Sequence, residues 1–192
     1  THYNAFYANM VANEMFLDSS SLRSSVVSHA KTLGYESASA RAPKAIIDVT
    51  LFDSVKATAS IPANTVFTTS IEDINYNFVT VTEFTAANTG SNIQFLGVPI
   101  YEGTFITSQY AVNSADVDQR FILTNNRADT TTLTVAVQTS ATDTTTETYA
   151  KTTDISQINS TSANYFLQEV ENGIHEVYFG DGVLGKAVAD GN

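Results

Sequence analysis

From residue 44 onward the chain is a succession of short runs rich in Thr, Val, Ile and Phe, separated by turn-forming residues. Branched and aromatic side chains suit a pleated, half-buried surface, so the pattern predicts strands. They are expected at 44–52, 65–69, 76–84, 103–110, 119–123, 133–138, 144–149, 165–169 and 175–179. Turn signals fall at Ile61-Pro62-Ala63-Asn64, Asn88-Thr89-Gly90, Thr124-Asn125-Asn126 and Glu171-Asn172-Gly173. The last suits a hairpin, because Asn-Gly accepts the type I′ geometry that matches strand twist. No helical period separates these runs, which argues for antiparallel sheets. The 129–153 stretch is Thr-rich and poor in large apolar residues, and reads as an exposed ribbon or protruding sub-domain within about 104–165.

The first part of the chain has a different period. Tyr3, Phe6, Tyr7, Met10, Val11, Met15 and Leu17 follow the three-four spacing of a helix, with Glu14 the one break. Asp18 and Ser19, Ser20 and Ser21 offer N-cap chemistry for a second helix through Leu22, Val26, Val27, Ala30 and Leu33. Gly34 is placed as its C′ residue. Arg41 and Pro43 end helical character. The expectation is an α+β fold, with an N-terminal helical hairpin over 1–42 followed by a mainly antiparallel β-rich region over 43–192. Tyr3, Phe6, Tyr7, Met10 and Phe16 are more apolar surface than so small a unit can bury, which marks them as a candidate interface.

At 192 residues, one or two small domains are expected, burying roughly 70% of the unfolded surface. Nine basic against twenty acidic residues give a formal charge of −11. Such a surface repels phosphate backbones and anionic lipid, so direct nucleic-acid binding is not expected. No apolar run reaches the roughly 20 residues of a membrane span, so no membrane insertion is expected. No signal peptide is visible. Without cysteine there are no disulfides or thiolate metal sites, which fits maturation in a reducing cytoplasm. A start at Thr1 and an end in a glycine-rich turn read as a piece of a longer polypeptide.

That closing turn is the strongest chemical motif. A strand-like run over 174–179 breaks into Gly180-Asp181-Gly182-Val183-Leu184-Gly185-Lys186. The spacing spells G-x-G-x-x-G, yet a dinucleotide site needs a helix and a second strand after it, and only seven residues follow Gly185. Lys186 is followed by Ala187, so it is no P-loop. Asp181 and Asp190 are too few for a calcium loop. Gly180, Asp181, Gly182 and Gly185 are therefore read as a structural turn. His2, His29 and His175 lie in separate segments without metal-ligand spacing. Glu102 with Asp116 is the one acid pair considered as a glycosidase dyad. Glu72, Asp73, Asp116 and Asp118 read as loop charges that favour solubility. No catalytic residue, metal or cofactor is expected.

Three segments together resemble one family. The 1–17 stretch with Ser24 through Tyr35 resembles the baseplate wedge protein of T-even-type contractile-tailed bacteriophages, the gene product six family. The Ile61-Pro62-Ala63-Asn64-Thr65-Val66-Phe67 turn, Tyr101-Glu102-Gly103-Thr104 and Phe179 through Gly185 are similar to elements of the wider baseplate J-like family. Asn64 stands where the commoner form of the turn has glycine, and asparagine also tolerates the left-handed region. The resemblance implies a structural virion protein of the tail baseplate, assembled in the host bacterial cytoplasm. It implies a homodimer within each wedge, joined to other wedge proteins around the tail hub in a ring that rearranges when the sheath contracts. It implies no enzymatic activity. The alternative is a glycan-binding tail adhesin, with the Thr-rich loops as the binding surface; a tail-associated glycan hydrolase comes third.

Overall fold

The computed structural model describes residues 2–116 and 119–191. Among the described residues the chain is α+β, with two α-helices and mostly antiparallel sheets. It divides into two compact units, one of residues 41–108 and one joining 1–40 to 109–192.

The 41–108 unit contains β1 (Lys44–Leu51), β2 (Thr58–Ile61), β3 (Val66–Ile71), β4 (Ile74–Val79), β5 (Phe84–Ala87) and β6 (Ile93–Glu102). An antiparallel sheet has the order β1-β6-β4-β3, and β2 pairs with β5. Ile61, Ile93, Phe95, Val98 and Ile100 form the core, with Phe67, Phe78 and Phe84 packed against it. The inward positions of β6 change parity between Phe95 and Val98. The register with β1 shifts between Ile47 and Val49, and a one-residue bulge exchanges which side chains face the core. Gly97 takes φ +70 there, and its N–H donates to Asp48 Oδ1 at 2.7 Å.

This unit departs from the sequence expectation in several places. Residues 103–110 form no strand. The long central strand is β6 instead, which Gly97 and Pro99 disguise as a broken segment. Pro99 is tolerated because β4 pairs only with Tyr101 and Glu102, so the missing N–H interrupts no second ladder. The expected 76–84 strand is split into β4 and β5 around Thr80. Thr80 is fully buried and its hydroxyl donates to Pro62 O at 2.8 Å while accepting from Thr65 N at 3.0 Å. Those bonds close the Pro62–Asn64 turn, with Asn64 at φ 64 as the residue type allows. Strand β2 was not anticipated. Glu72 and Asp73 are not simple loop charges: at φ 49 and 64 they are the two central residues of the β3–β4 hairpin.

The other unit carries α1 (His2–Glu14) and α2 (Arg23–Thr32). Its strands are β7 (Phe121–Leu123), β8 (Val135–Ser140), β9 (Asp143–Lys151), β10 (Asn164–Glu171) and β11 (Ile174–Phe179). They form one sheet in the order β7-β11-β10-β9-β8, antiparallel except where β9 meets β10. Val137, Tyr149, Tyr165, Leu167 and Val177 make its core. Tyr110, Phe121, Phe179 and Tyr149 follow one another edge to face at 5.7, 5.4 and 5.4 Å, the arrangement ring quadrupoles prefer. Asn172 at φ 49 and Gly173 at φ 82 form the expected hairpin turn between β10 and β11.

The helices end differently from the periodicity. The first stops at Glu14, because Ser19 Oγ and Ser20 Oγ donate back to Asn13 O and Phe16 O at 2.6 Å each. Those hydroxyls are thereby withdrawn from α2, whose N-cap is Leu22 with no side-chain cap of its own. At the far end, Gly34 at φ +76 donates to Lys31 O and Tyr35 to Ala30 O, both 2.9 Å. These two bonds are the Schellman motif expected of a C′ glycine.

Candidate functional site

Residues 2–13 contain no Asp, Glu, Lys or Arg, in a chain with twenty acidic residues. No residue of α1 is buried. The candidate interface residues are all exposed: Tyr3 by 79%, Phe6 by 64%, Tyr7 by 58%, Met10 by 43% and Phe16, just beyond the helix, by 66%. Phe6 and Tyr7 meet each other edge to face at 6.0 Å. A helix of this length is marginal in water without tertiary cover. Burying one such side chain is worth about 1.5–3 kcal/mol. The surface is thus suited to covering by another apolar surface.

The ties between α1 and α2 gather at Glu14. Its carboxylate accepts from Ser21 N at 3.0 Å, Ser21 Oγ at 2.8 Å and Leu22 N at 3.3 Å. The Ser25 hydroxyl, then the Ser21 amide and hydroxyl, hold that carboxyl at about 2. Glu14 therefore supplies the N-terminal cap and the negative charge that α2's own Leu22 lacks. His29 Nε2 is 2.9 Å from Glu14 O, which places this histidine in the joint between the helices.

Arg23, the first residue of α2, fixes that helix to the sheet. Its Nε and Nη2 donate to the two oxygens of Glu169 at 2.7 and 2.8 Å. Glu169 lies on β10, is 1% exposed, and also accepts from Gly173 N at 2.7 Å. Burial pushes its carboxyl up, but the Arg23 guanidinium, the Ser37 hydroxyl and the Gly173 amide outweigh burial and leave it at about 2. His175 sits across from Glu169 on β11, 2% exposed, with Nδ1 3.0 Å from Gly173 O and Nε2 without a protein partner. One place along β11, buried Glu176 accepts from Arg120 Nε at 2.5 Å and from Gln168. Sequence reasoning overlooked Glu169, although a signal exists. Tyr165, Leu167 and Glu169 alternate on the buried face of β10, so a carboxylate continues an apolar stripe.

In the closing turn the glycines have defined work. Asp181 Oδ1 accepts from Val183 N and Leu184 N, both at 2.9 Å, and those amides hold its carboxyl below the usual range. Gly182 and Gly185 lie at φ +86 and +87, and Gly182 N donates to Gly185 O at 3.0 Å. A Cβ on Gly180 would stand 2.3 Å from Leu184 O. Gly185 N and Lys186 N then donate to Asn159 O and Ser162 O at 3.2 and 2.8 Å, and Lys186 Nζ pairs with Glu147 at 2.6 Å. Asp181 points its acceptor inward at its own turn, the arrangement of a packing device.

Glu102 belongs to the 41–108 unit and Asp116 to the other. Asp118 lies outside the described residues. His2 opens α1 and is exposed. Among the described residues no three His, Asp or Glu side chains stand close enough to hold a metal ion. No helix among them is long and apolar enough to cross a membrane.

No family model matches this chain, and no curated protein does either.

Proposed function

We propose that this chain is a structural component of a phage tail baseplate wedge. In this reading α1 and α2 act as a helical hairpin arm that meets a second copy and neighbouring wedge proteins, and the wedges close into a ring around the tail hub. The ring rearranges when the sheath contracts, the chain resides in the virion after assembly in the host cytoplasm, and it transforms no molecule. The observation that carries the proposal is the exposed aromatic and Met surface of α1, none of whose residues is buried and whose 2–13 stretch has no Asp, Glu, Lys or Arg. The resemblance of 1–17 and 24–35 to the wedge family, and of 61–67, 101–104 and 179–185 to baseplate J-like elements, gives that surface its assignment. The anchoring of α2 through Arg23 and Glu169 adds support, since an assembly arm has to transmit force to the body behind it.

Sedimentation of the purified chain, alone and with purified wedge proteins, tests the proposal. Association that Phe6→Glu with Met10→Glu abolishes, at unchanged helix and sheet content, is the expected result. A chain that stays monomeric and joins none of those proteins overturns it. The adhesin reading draws on one feature, an open groove lined by Thr130, Thr131, Thr134, Thr148 and Lys151. Its two tyrosines, Tyr149 and Tyr165, are each only 3% exposed, so they offer no stacking face for a sugar, and assembly is the better supported reading.

A further inference from the structure

The four-stranded sheet of the 41–108 unit ends in two edges of unlike character. Edge strand β1 carries Lys44 and Asp48, charges that discourage further pairing. The opposite edge, β3, reads Val66-Phe67-Thr68-Thr69-Ser70-Ile71, without charge, proline, glycine or bulge. Its register with β4 is unbroken from Val66 to Ile71. Val66 and Ile71 are 53% and 60% exposed, and Thr68, Thr69 and Ser70 are exposed as well. We propose that β3 is a strand-addition surface whose occupant is β3 of a second copy, paired antiparallel.

The occupant follows from three observations. Ile71 and Ile74 close a two-residue turn, so the alternation of antiparallel pairing points the free N–H and C=O groups of Val66, Thr68 and Ser70 away from β4. A two-fold centred on Thr68 sets each copy's Val66 opposite Ser70 of the other, Thr68 opposite Thr68, and Phe67 opposite Thr69. Every side chain then keeps its own face of the sheet; the central pair is hydroxyl with hydroxyl and the Phe67–Thr69 pairs are aromatic with β-branched, both favourable across strands, while Val66 meets only the small Ser70. Finally, Glu72 and Asp73 cap one end of β3. Antiparallel pairing sends these acids of the two copies to opposite ends, whereas parallel pairing would set them side by side. The two-fold closes on itself, so pairing stops at a dimer. Each copy carries a charge of −11, so added salt strengthens the association by screening repulsion.

The chain has no cysteine, which allows a direct test. Thr68→Cys and, on the β1 edge, Thr50→Cys are each placed in a Phe6→Glu, Met10→Glu background. That background silences association through α1, so the strand proposal and the helix proposal fail separately. Under a mild oxidant, the expected result is a disulfide-linked dimer as the main product at position 68 and little at position 50. Sedimentation in the same background, without added cysteine, gives a dimer that Thr68→Lys and Thr68→Pro reduce to monomer. Circular dichroism checks the fold, and neither change touches a bond of the β3–β4 ladder. Monomer at all concentrations, equal linkage at both positions, or a dimer that persists in folded Thr68→Lys overturns the proposal.

Discussion

Replacing Arg23 with methionine keeps most of the stem volume and removes the guanidinium, so it isolates the ion pair that fastens α2 to β10. Glu169 is left 99% covered with the Ser37 hydroxyl and the Gly173 amide in place of a charged partner. Its carboxyl stands at about 2 against an ordinary 4.5. At about 1.4 kcal/mol per unit, that depression corresponds to roughly 3 kcal/mol of native-state preference for the charged form. Breaking a buried pair from one side costs about 3–5 kcal/mol, and the half-exposed Arg23 side chain puts the expected loss near the lower figure, about 3 kcal/mol. Urea unfolding followed by near-ultraviolet dichroism weights the relevant unit, because the buried Tyr149 and Tyr165 lie in it, whereas the 41–108 unit holds only Tyr76 and Tyr101. The sign with pH is fixed. Glu169 is depressed in the folded state, so its contribution is complete above about 4.5 and disappears as pH falls toward about 2. In Arg23→Met burial dominates, the carboxyl titrates higher, and the deficit relative to wild type shrinks on acidification. Glu169→Gln combined with Arg23→Met should cost less than the sum of the two. A loss under about 1 kcal/mol, the worth of a surface pair, with superimposable acid limbs, would refute the reasoning.

The other predictions concern single positions. Gly180→Ala should cost about 3 kcal/mol or more, since its Cβ meets backbone at 2.3 Å, whereas Gly182→Ala should cost about 1–2 kcal/mol from φ +86 alone; thermal melts rank the two, and equal melting temperatures contradict the packed turn. Thr80→Val should lose about 1–3 kcal/mol by leaving Thr65 N unpaired inside the 41–108 unit, Pro62 O keeping the Thr65 hydroxyl, read by urea titration. Glu14→Gln weakens the cap that α1 lends to α2, and faster amide exchange at Arg23 through Val26 is the expected signature.

The local features of this fold were legible where a residue type has one strong conformational preference. Asn172-Gly173 announced its hairpin, Gly34 its helix end and Pro62 its turn. Strand β6 was hidden because Gly97 and Pro99 look like breakers, and only the bulge opposite Asp48 and the short pairing with β4 make room for them. The Glu72-Asp73 hairpin lacked the usual asparagine or glycine, so two acids at positive φ passed for ordinary loop charges. Ser19 to Ser21 carried real capping chemistry but turned it back on α1, Ser19 and Ser20 on carbonyls and Ser21 on the Glu14 carboxylate, a choice that the sequence leaves open. Within the candidate site, the exposed apolar residues of α1 could be named from their spacing. The Arg23–Glu169 pair could not, because its members are 146 positions apart and only the face of β10 reveals that the acid points inward.

The claim on which the account turns is that α1 waits for a partner. Hydrogen–deuterium exchange over residues 2–14, measured on the chain alone and after mixing with purified wedge proteins, tests it most directly. Rapid exchange in isolation, with marked protection across Tyr3 to Met10 on assembly, is the predicted result. Strong protection in the isolated monomer, or exchange unchanged once the complex has formed, would contradict it.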